Sequence, residues 1–420
     1  MRVIVEKNET ALVEGYAEIR VVEGKFEVFG VEAAEGFTAH VDPLKVAPFY
    51  SPEGGVLEVR NGRVSCTSGR TIPEDWGAAV EEILAGASRV LVLGSLDVGK
   101  SGFITYAANK LLKRGRRVGI IDADPGQSDV GPPTTIGLGF PSKPVIMLSE
   151  VNLYDGVFIG TTSPSGLLHR CVAAVSYLTQ IGLSKADVVI VNTTGWVDGP
   201  EGRDLKISKT ISFRPDLVIA IQSSGELEHL LKFMERAYEV VRLKSAQTRT
   251  RTREERRIIR AISYARHFAG AQDRKVNVKD LGVTYSFLWT GRRLGQEEIM
   301  NLQGLVGSEI LWAEESVDSL VIITAYPPRP GCADRVKEAV GVKNVRVFDQ
   351  GLLRHVLVGL GDREKMFKGL GIIKDVDLRN GQLTLYTKAE IDEDTFIQLG
   401  YIKVNPVTYE EEGWLPKWSL

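Results

Sequence analysis

The 420-residue chain is short of the residues that build metal centres and disulfide scaffolds. Its three cysteines, Cys66, Cys171 and Cys332, lie far apart and lack metal-ligand or disulfide spacing. Its five histidines are scattered, which argues against a zinc site. Neither sign of charge dominates, with 52 Lys and Arg against 54 Asp and Glu and a formal net charge of −2. A generally basic surface is therefore excluded, and any contact with nucleic acid rests on a local patch. No apolar run approaches the ~20 residues that cross a bilayer, so no membrane span is expected. Arg2, Glu6 and Lys7 bring charge too early for a secretory signal. With so few cysteines, the expected setting is reducing and cytoplasmic. The hydrophobic share of 43% and charged share of 25% are those of ordinary globular proteins, and the length suits two or three domains.

Three regions differ in pattern. Residues 1–73 read as all-β, a small sandwich or barrel. Alternating segments such as Ala17–Val21 and Lys25–Phe29 are separated by Gly15, Gly24 and Gly30, and Asn61-Gly62 reads as a hairpin turn. Residues 74–275 alternate apolar runs with helical patterns, as parallel βαβ units do. Strands are expected at Arg89–Leu93, Val118–Ile121, Asp187–Val191 and Leu217–Ile221, and helices over Lys100–Lys113, Gly166–Ile181 and Glu226–Val241. Residues 276–420 return to short strands and turns, with Asn380-Gly381 a second hairpin signal. The expected fold class is α/β: a phosphate-loop core with a parallel sheet, flanked by N- and C-terminal β-rich domains.

The core carries Gly94-Ser95-Leu96-Asp97-Val98-Gly99-Lys100-Ser101, the pattern G-x-x-x-x-G-K-[ST]. Its glycines let successive N–H groups turn toward phosphate oxygens, Lys100 adds a point charge, and Ser101 offers a hydroxyl to Mg²⁺. The buried-type strand before it and the helix after it are the context that the motif needs.

Four further segments bear chemistry. Asp122-Ala123-Asp124-Pro125-Gly126-Gln127 ends the second core strand, where one carboxylate can join a magnesium shell and another accept a proton. Asp-Pro-Gly is also an ordinary turn. Asn192-Thr193-Thr194-Gly195-Trp196 ends another strand, and Trp196 reads equally as a base-stacking platform or as core. Thr161, Thr162, Ser163 and Ser165 precede a helix, as phosphate ligands or plain caps. From Arg249 to Arg260 there are six arginines in twelve residues, suited to a lid over phosphates or to a solvated helix face.

Taken in order, these segments resemble the polynucleotide 5′-hydroxyl kinase family, which includes the kinase-like subunit of messenger-RNA cleavage and polyadenylation and the kinases of ribosomal-RNA processing. The likeness covers most of the central region, and Asn-Thr-x-Gly-Trp is its specific part. Gly359–Ile373 also resembles the family's C-terminal segment. The resemblance implies transfer of the γ-phosphate of ATP or another NTP to a 5′-hydroxyl end of RNA, with DNA left open, and a magnesium or similar divalent cation as cofactor. Residues 94–101 would hold the nucleotide. Lys100, Asp124, Arg253 and Arg257 would be catalytic, with Asp124 as the base. Gln127, Thr162, Ser163, Asn192 and Trp196 would bind the substrate end. Ser101, Asp122 and Asp124 would form the metal shell. Protein partners are not implied. The alternative is a catalytically silent ATP-binding scaffold of an RNA-processing complex. A regulatory GTPase is disfavoured, because Ser184-Lys185-Ala186-Asp187 precedes a strand instead of following one.

Overall fold

A computed structural model describes residues 1–246 and 250–417. By its contacts the chain divides into two compact units, Met1–Arg260 and Ala261–Leu420.

The first unit is built on a seven-stranded sheet. Its strands run in the order Leu153–Phe158, Thr135–Gly139, Val118–Ala123, Val188–Thr193, Arg89–Gly94, Leu217–Gln222 and Glu239–Lys244. The last five are parallel. The first two form an antiparallel edge, which the sequence reading missed. Val90, Leu91 and Val92 are wholly buried, as a central parallel strand covered on both faces requires. Helix Lys100–Lys113 follows the loop strand over the expected span. The helix expected over Glu226–Val241 is only Glu228–Met234, and the chain then enters the edge strand Glu239–Lys244. The run Glu239-Val240-Val241-Arg242-Leu243 suits an edge strand, and parallel pairing with Leu217–Gln222 settles it.

The β-rich start of this unit consists of a four-stranded and a five-stranded sheet that enclose Ala11, Val13, Ile19, Phe26, Phe49 and Leu57. Asn61-Gly62 is not a hairpin turn. Gly55–Arg60 pairs within the four-stranded sheet, whereas Arg63–Ser68 pairs with Glu9–Glu14 in the other. The local turn chemistry is real, with Asn61 at φ 59°, but the chain crosses between sheets there. Ile146 and Met147 of the phosphate-loop core join this cluster.

The second unit holds a seven-stranded sheet containing Val356–Gly361 and Gly369–Asp377. Here Asn380-Gly381 does close a hairpin, pairing Asp377 with Gln382. The domain limit expected at 275/276 falls inside strand Gln272–Asn277, which pairs with Gln382–Thr387 of this sheet. A separate four-stranded sheet packs with helices Gln296–Val306 and Cys332–Val340 around Leu302, Val306, Ile322 and Val336. The strand-and-turn reading did not foresee these helices.

Candidate active site

The site lies at the carboxyl ends of the parallel strands, where an open α/β sheet leaves its crevice. The phosphate loop curls between strand Arg89–Gly94 and the first turn of helix Lys100–Lys113. The Lys100 ammonium donates to the carbonyls of Gly94 at 3.0 Å and Ser95 at 2.6 Å, so its charge sits inside the curl. Burial draws it down to about 8, against Asp124, Asp97 and Asp122, which hold it up. Ser95 Oγ donates to Glu226 Oε1 at 3.0 Å and ties the loop to the segment after the neighbouring strand.

Asp122 and Asp124 differ in environment. Asp122 is fully buried and absent from the cavity wall. Its Oδ2 accepts from the Asp129 N–H at 2.6 Å and the Val130 N–H at 3.4 Å. Its Oδ1 accepts from Asn192 Nδ2 at 3.1 Å and the Asp124 N–H at 3.3 Å. Burial pushes its carboxyl up to about 7, and the charge of Asp129 adds to that. Asp124 lines the cavity. Its Oδ1 accepts from the N–H groups of Gly126 at 3.0 Å and Gln127 at 3.1 Å, an Asx turn that aims the carboxylate. Gln127 lines the same wall.

Two glycines set close approaches. A Cβ on Gly126 would stand 2.6 Å from the Thr162 carbonyl, so the Asp124 turn and the Thr162–Ser163 segment touch backbone to backbone. A Cβ on Gly195 would stand 2.8 Å from Leu96 Cα, so the Asn192–Trp196 segment lies on the phosphate loop. Asn192 and Gly195 line the cavity. Trp196 is half-buried beside it, with its ring on Gly202. Thr162 is half-buried and Ser163 exposed. The N-cap of the following helix, Leu167, has no side-chain hydrogen bond, so neither Ser163 nor Ser165 caps it, and Ser163 Oγ accepts from the Ser165 N–H at 3.4 Å.

The arginine segment corrects the choice made from sequence. Arg249 lies outside the described residues. Arg253 and Arg257 are exposed and off the cavity wall, whereas Arg251 and Arg256 line it. Both are held by Asp97 of the phosphate loop: Arg251 Nη1 to Oδ1 at 3.1 Å and Arg256 Nη2 to Oδ2 at 2.7 Å. Arg251 Nε also donates to the Leu44 carbonyl at 3.0 Å. The cause is the point at which the helix starts. Thr252 and Glu255 bond reciprocally, Thr252 N–H to Oε2 at 2.8 Å and Glu255 N–H to Oγ1 at 3.1 Å. This capping box starts helix Arg253–Phe268, leaves Arg251 in extended chain and turns Arg256 and Ile259 inward. Thr-x-x-Glu was a readable signal for that phase. The remaining wall, Leu12, Phe29, Ile72 and Trp76 among it, comes from outside the motifs, around a cavity of about 200 Å³.

Residues 94–270 match the family model described as the P-loop of mRNA cleavage and polyadenylation factor CLP1. Over 342 residues the chain is 32% identical to a polyribonucleotide 5′-hydroxyl-kinase of Pyrococcus horikoshii, covering 79% of this chain and 91% of the relative. The chain belongs to this kinase family. A Pyrococcus furiosus member is likewise 32% identical over 353 residues, covering 83% and 97%. The Xenopus tropicalis polyribonucleotide 5′-hydroxyl-kinase Clp1 is 26% identical over 61% of this chain and 64% of its own. A solved Clp1p–Pcf11p complex shares the fold, with a TM-score of 0.65 at 12% identity over 96% of this chain and 97% of that one. Membership of this P-loop family implies nucleotide binding. Among the described residues no helix is long and apolar enough to cross a membrane.

Proposed function

We propose that the protein is a polynucleotide 5′-hydroxyl kinase that transfers the γ-phosphoryl group of ATP or another NTP to the 5′-hydroxyl end of RNA. The observation that carries this reading is the single cavity walled by Lys100, Ser101, Asp124, Gln127, Arg251 and Arg256. A scaffold that only holds nucleotide has no need of an aimed carboxylate facing the lysine. The 5′-oxygen attacks the γ-phosphorus in line, its proton passes to Asp124, and the bond to the β–γ bridging oxygen breaks. Lys100, Arg251 and Arg256 neutralise the charge on the transferring group. The donors fit magnesium, which takes hard oxygens and keeps several waters beside one or two protein ligands. Ser101 Oγ would hold it, and when bound it neutralises phosphate oxygens. Asp122, off the cavity wall, orients Asp124 and Asn192 from behind. Gln127, Thr162, Ser163 and Asn192 receive the nucleic-acid end, and Trp196 supports its first base.

Three variants test this division of labour. Trp196→Ala is expected to weaken binding of a 5′-hydroxyl oligonucleotide about tenfold, the scale of one lost base stack, with ATP affinity unchanged. Equal affinities for wild type and variant would return Trp196 to the core. Arg256→Ala is expected to slow transfer at saturating substrates about a hundredfold or more, as loss of a phosphate-facing arginine does. Arg257→Ala should cost far less. The reverse ranking, measured with γ-labelled ATP, would restore the choice made from sequence.

A further inference from the structure

Helix Gly199–Phe213 carries two lysines, Lys206 and Lys209, that are fully buried. Lysine is almost never fully buried unless it is paired. The acceptors here are carbonyls and a hydroxyl, not carboxylates. Lys209 Nζ donates to the Ala123 carbonyl, between Asp122 and Asp124, at 2.9 Å. Lys206 Nζ donates to the Thr194 carbonyl and, at 2.9 Å, to Thr194 Oγ1. Burial pulls both ammoniums down, and at Lys206 the charges of Lys209 and Lys100 add to this; the negative charge of Asp124 draws both back up. The same helix makes two more such contacts. Glu201 Oε2 accepts from Ser165 Oγ at 2.6 Å, beside the Thr162–Ser163 segment. Gly202 lies under Trp196, where a Cβ would come within 3.0 Å of the indole nitrogen. Residues 202, 206 and 209 share one helix face. The four contacts go to the Asp124 turn, the Thr194–Trp196 segment and the Thr162 segment, all assigned above to the acceptor.

We propose that Lys206 and Lys209 are positioning residues for the acceptor. From beneath the strand ends they set the spacing between Asp124 and Trp196 that a 5′-hydroxyl end requires. This rests on the kinase reading and names the element that organises its acceptor side, while the phosphate loop organises the nucleotide side. The strand-end carbonyls of Ala123 and Thr194 need donors, and an apolar side chain of similar length would leave them unsatisfied. Lys209 also offsets the repulsion between the carboxylates of Asp122 and Asp124, and of the two Lys206 draws on Asp124 alone. Without these ammoniums Asp124 shifts, and a displacement of about 1 Å at a reacting group costs on the order of a hundredfold in rate.

The test uses the full chain, labelled ATP and a 5′-hydroxyl RNA oligonucleotide, with Lys209→Met, Lys206→Met and the donor-retaining Lys209→Gln and Lys206→Gln. Lys209→Met is expected to lower kcat tenfold to a hundredfold with ATP Kd unchanged. Lys206→Met is expected to raise the oligonucleotide KM about tenfold. The glutamine variants should recover part of each loss. Should the methionine variants not fold, the glutamine variants read the same split between acceptor and ATP. Wild-type kcat and KM in the variants, or an equal loss of ATP affinity, would make the lysines merely structural and overturn the assignment. A wild-type chain that binds ATP but transfers nothing to the oligonucleotide would instead overturn the kinase reading.

Discussion

Asp124→Asn is expected to lower kcat for phosphoryl transfer by about a hundredfold to ten-thousandfold, the usual range for loss of a general base. The ATP Kd should stay within about twofold. The substitution keeps the shape and the side-chain oxygen that accepts from Gly126 and Gln127, so the turn is preserved. Only the capacity to take a proton is lost. An effect confined to kcat marks an interaction made in the transition state alone. Single-turnover transfer and equilibrium nucleotide binding, with and without magnesium, separate the outcomes. If magnesium-dependent ATP binding disappears with the carboxylate, Asp124 is principally a metal ligand, and the base lies elsewhere on the wall.

Lys100→Ala is expected to abolish detectable transfer, a loss of a thousandfold or more, and to weaken nucleotide binding as well. The fold should survive. The ammonium bonds only to carbonyls of its own loop, and burial already disfavours its charge. Removing it therefore takes no hydrogen bond from outside the loop, and the thermal midpoint should move by a few degrees at most. A well-folded variant with near-normal turnover would remove the phosphate loop from the mechanism. Because Asp97 holds Arg251 and Arg256 against the loop, the variant is best compared with Asp97→Asn. The latter should loosen the arginine segment without removing the loop's own charge.

The phosphate loop, its strand and helix Lys100–Lys113 were legible in the sequence because each depends on contacts within a few residues: buried β-branched runs, glycines at a tight curl, a helical period of apolar positions. The same holds for Asp124, whose turn is closed by its own neighbours. The hairpin at Asn380-Gly381 was equally local. Tertiary structure decided the rest. Asn61-Gly62 has the same turn chemistry, but which sheet receives the next strand depends on distant partners. The edge strand Glu239–Lys244 is a strand through its pairing with Leu217–Gln222. Which arginines line the cavity follows from where a capping box begins the helix and from Asp97, more than 150 residues earlier in the chain. A one-dimensional pattern treats a lysine as exposed, so nothing in the sequence singles out Lys206 and Lys209. Only the packing of their helix beneath two strand ends carries them inside, next to carbonyls that no local rule supplies. The cavity-lining groups Lys100, Ser101 and Asp124 were thus written in short motifs, while their spacing and support came from long-range packing, because a side chain's environment is set by segments that meet only once the sheet has closed.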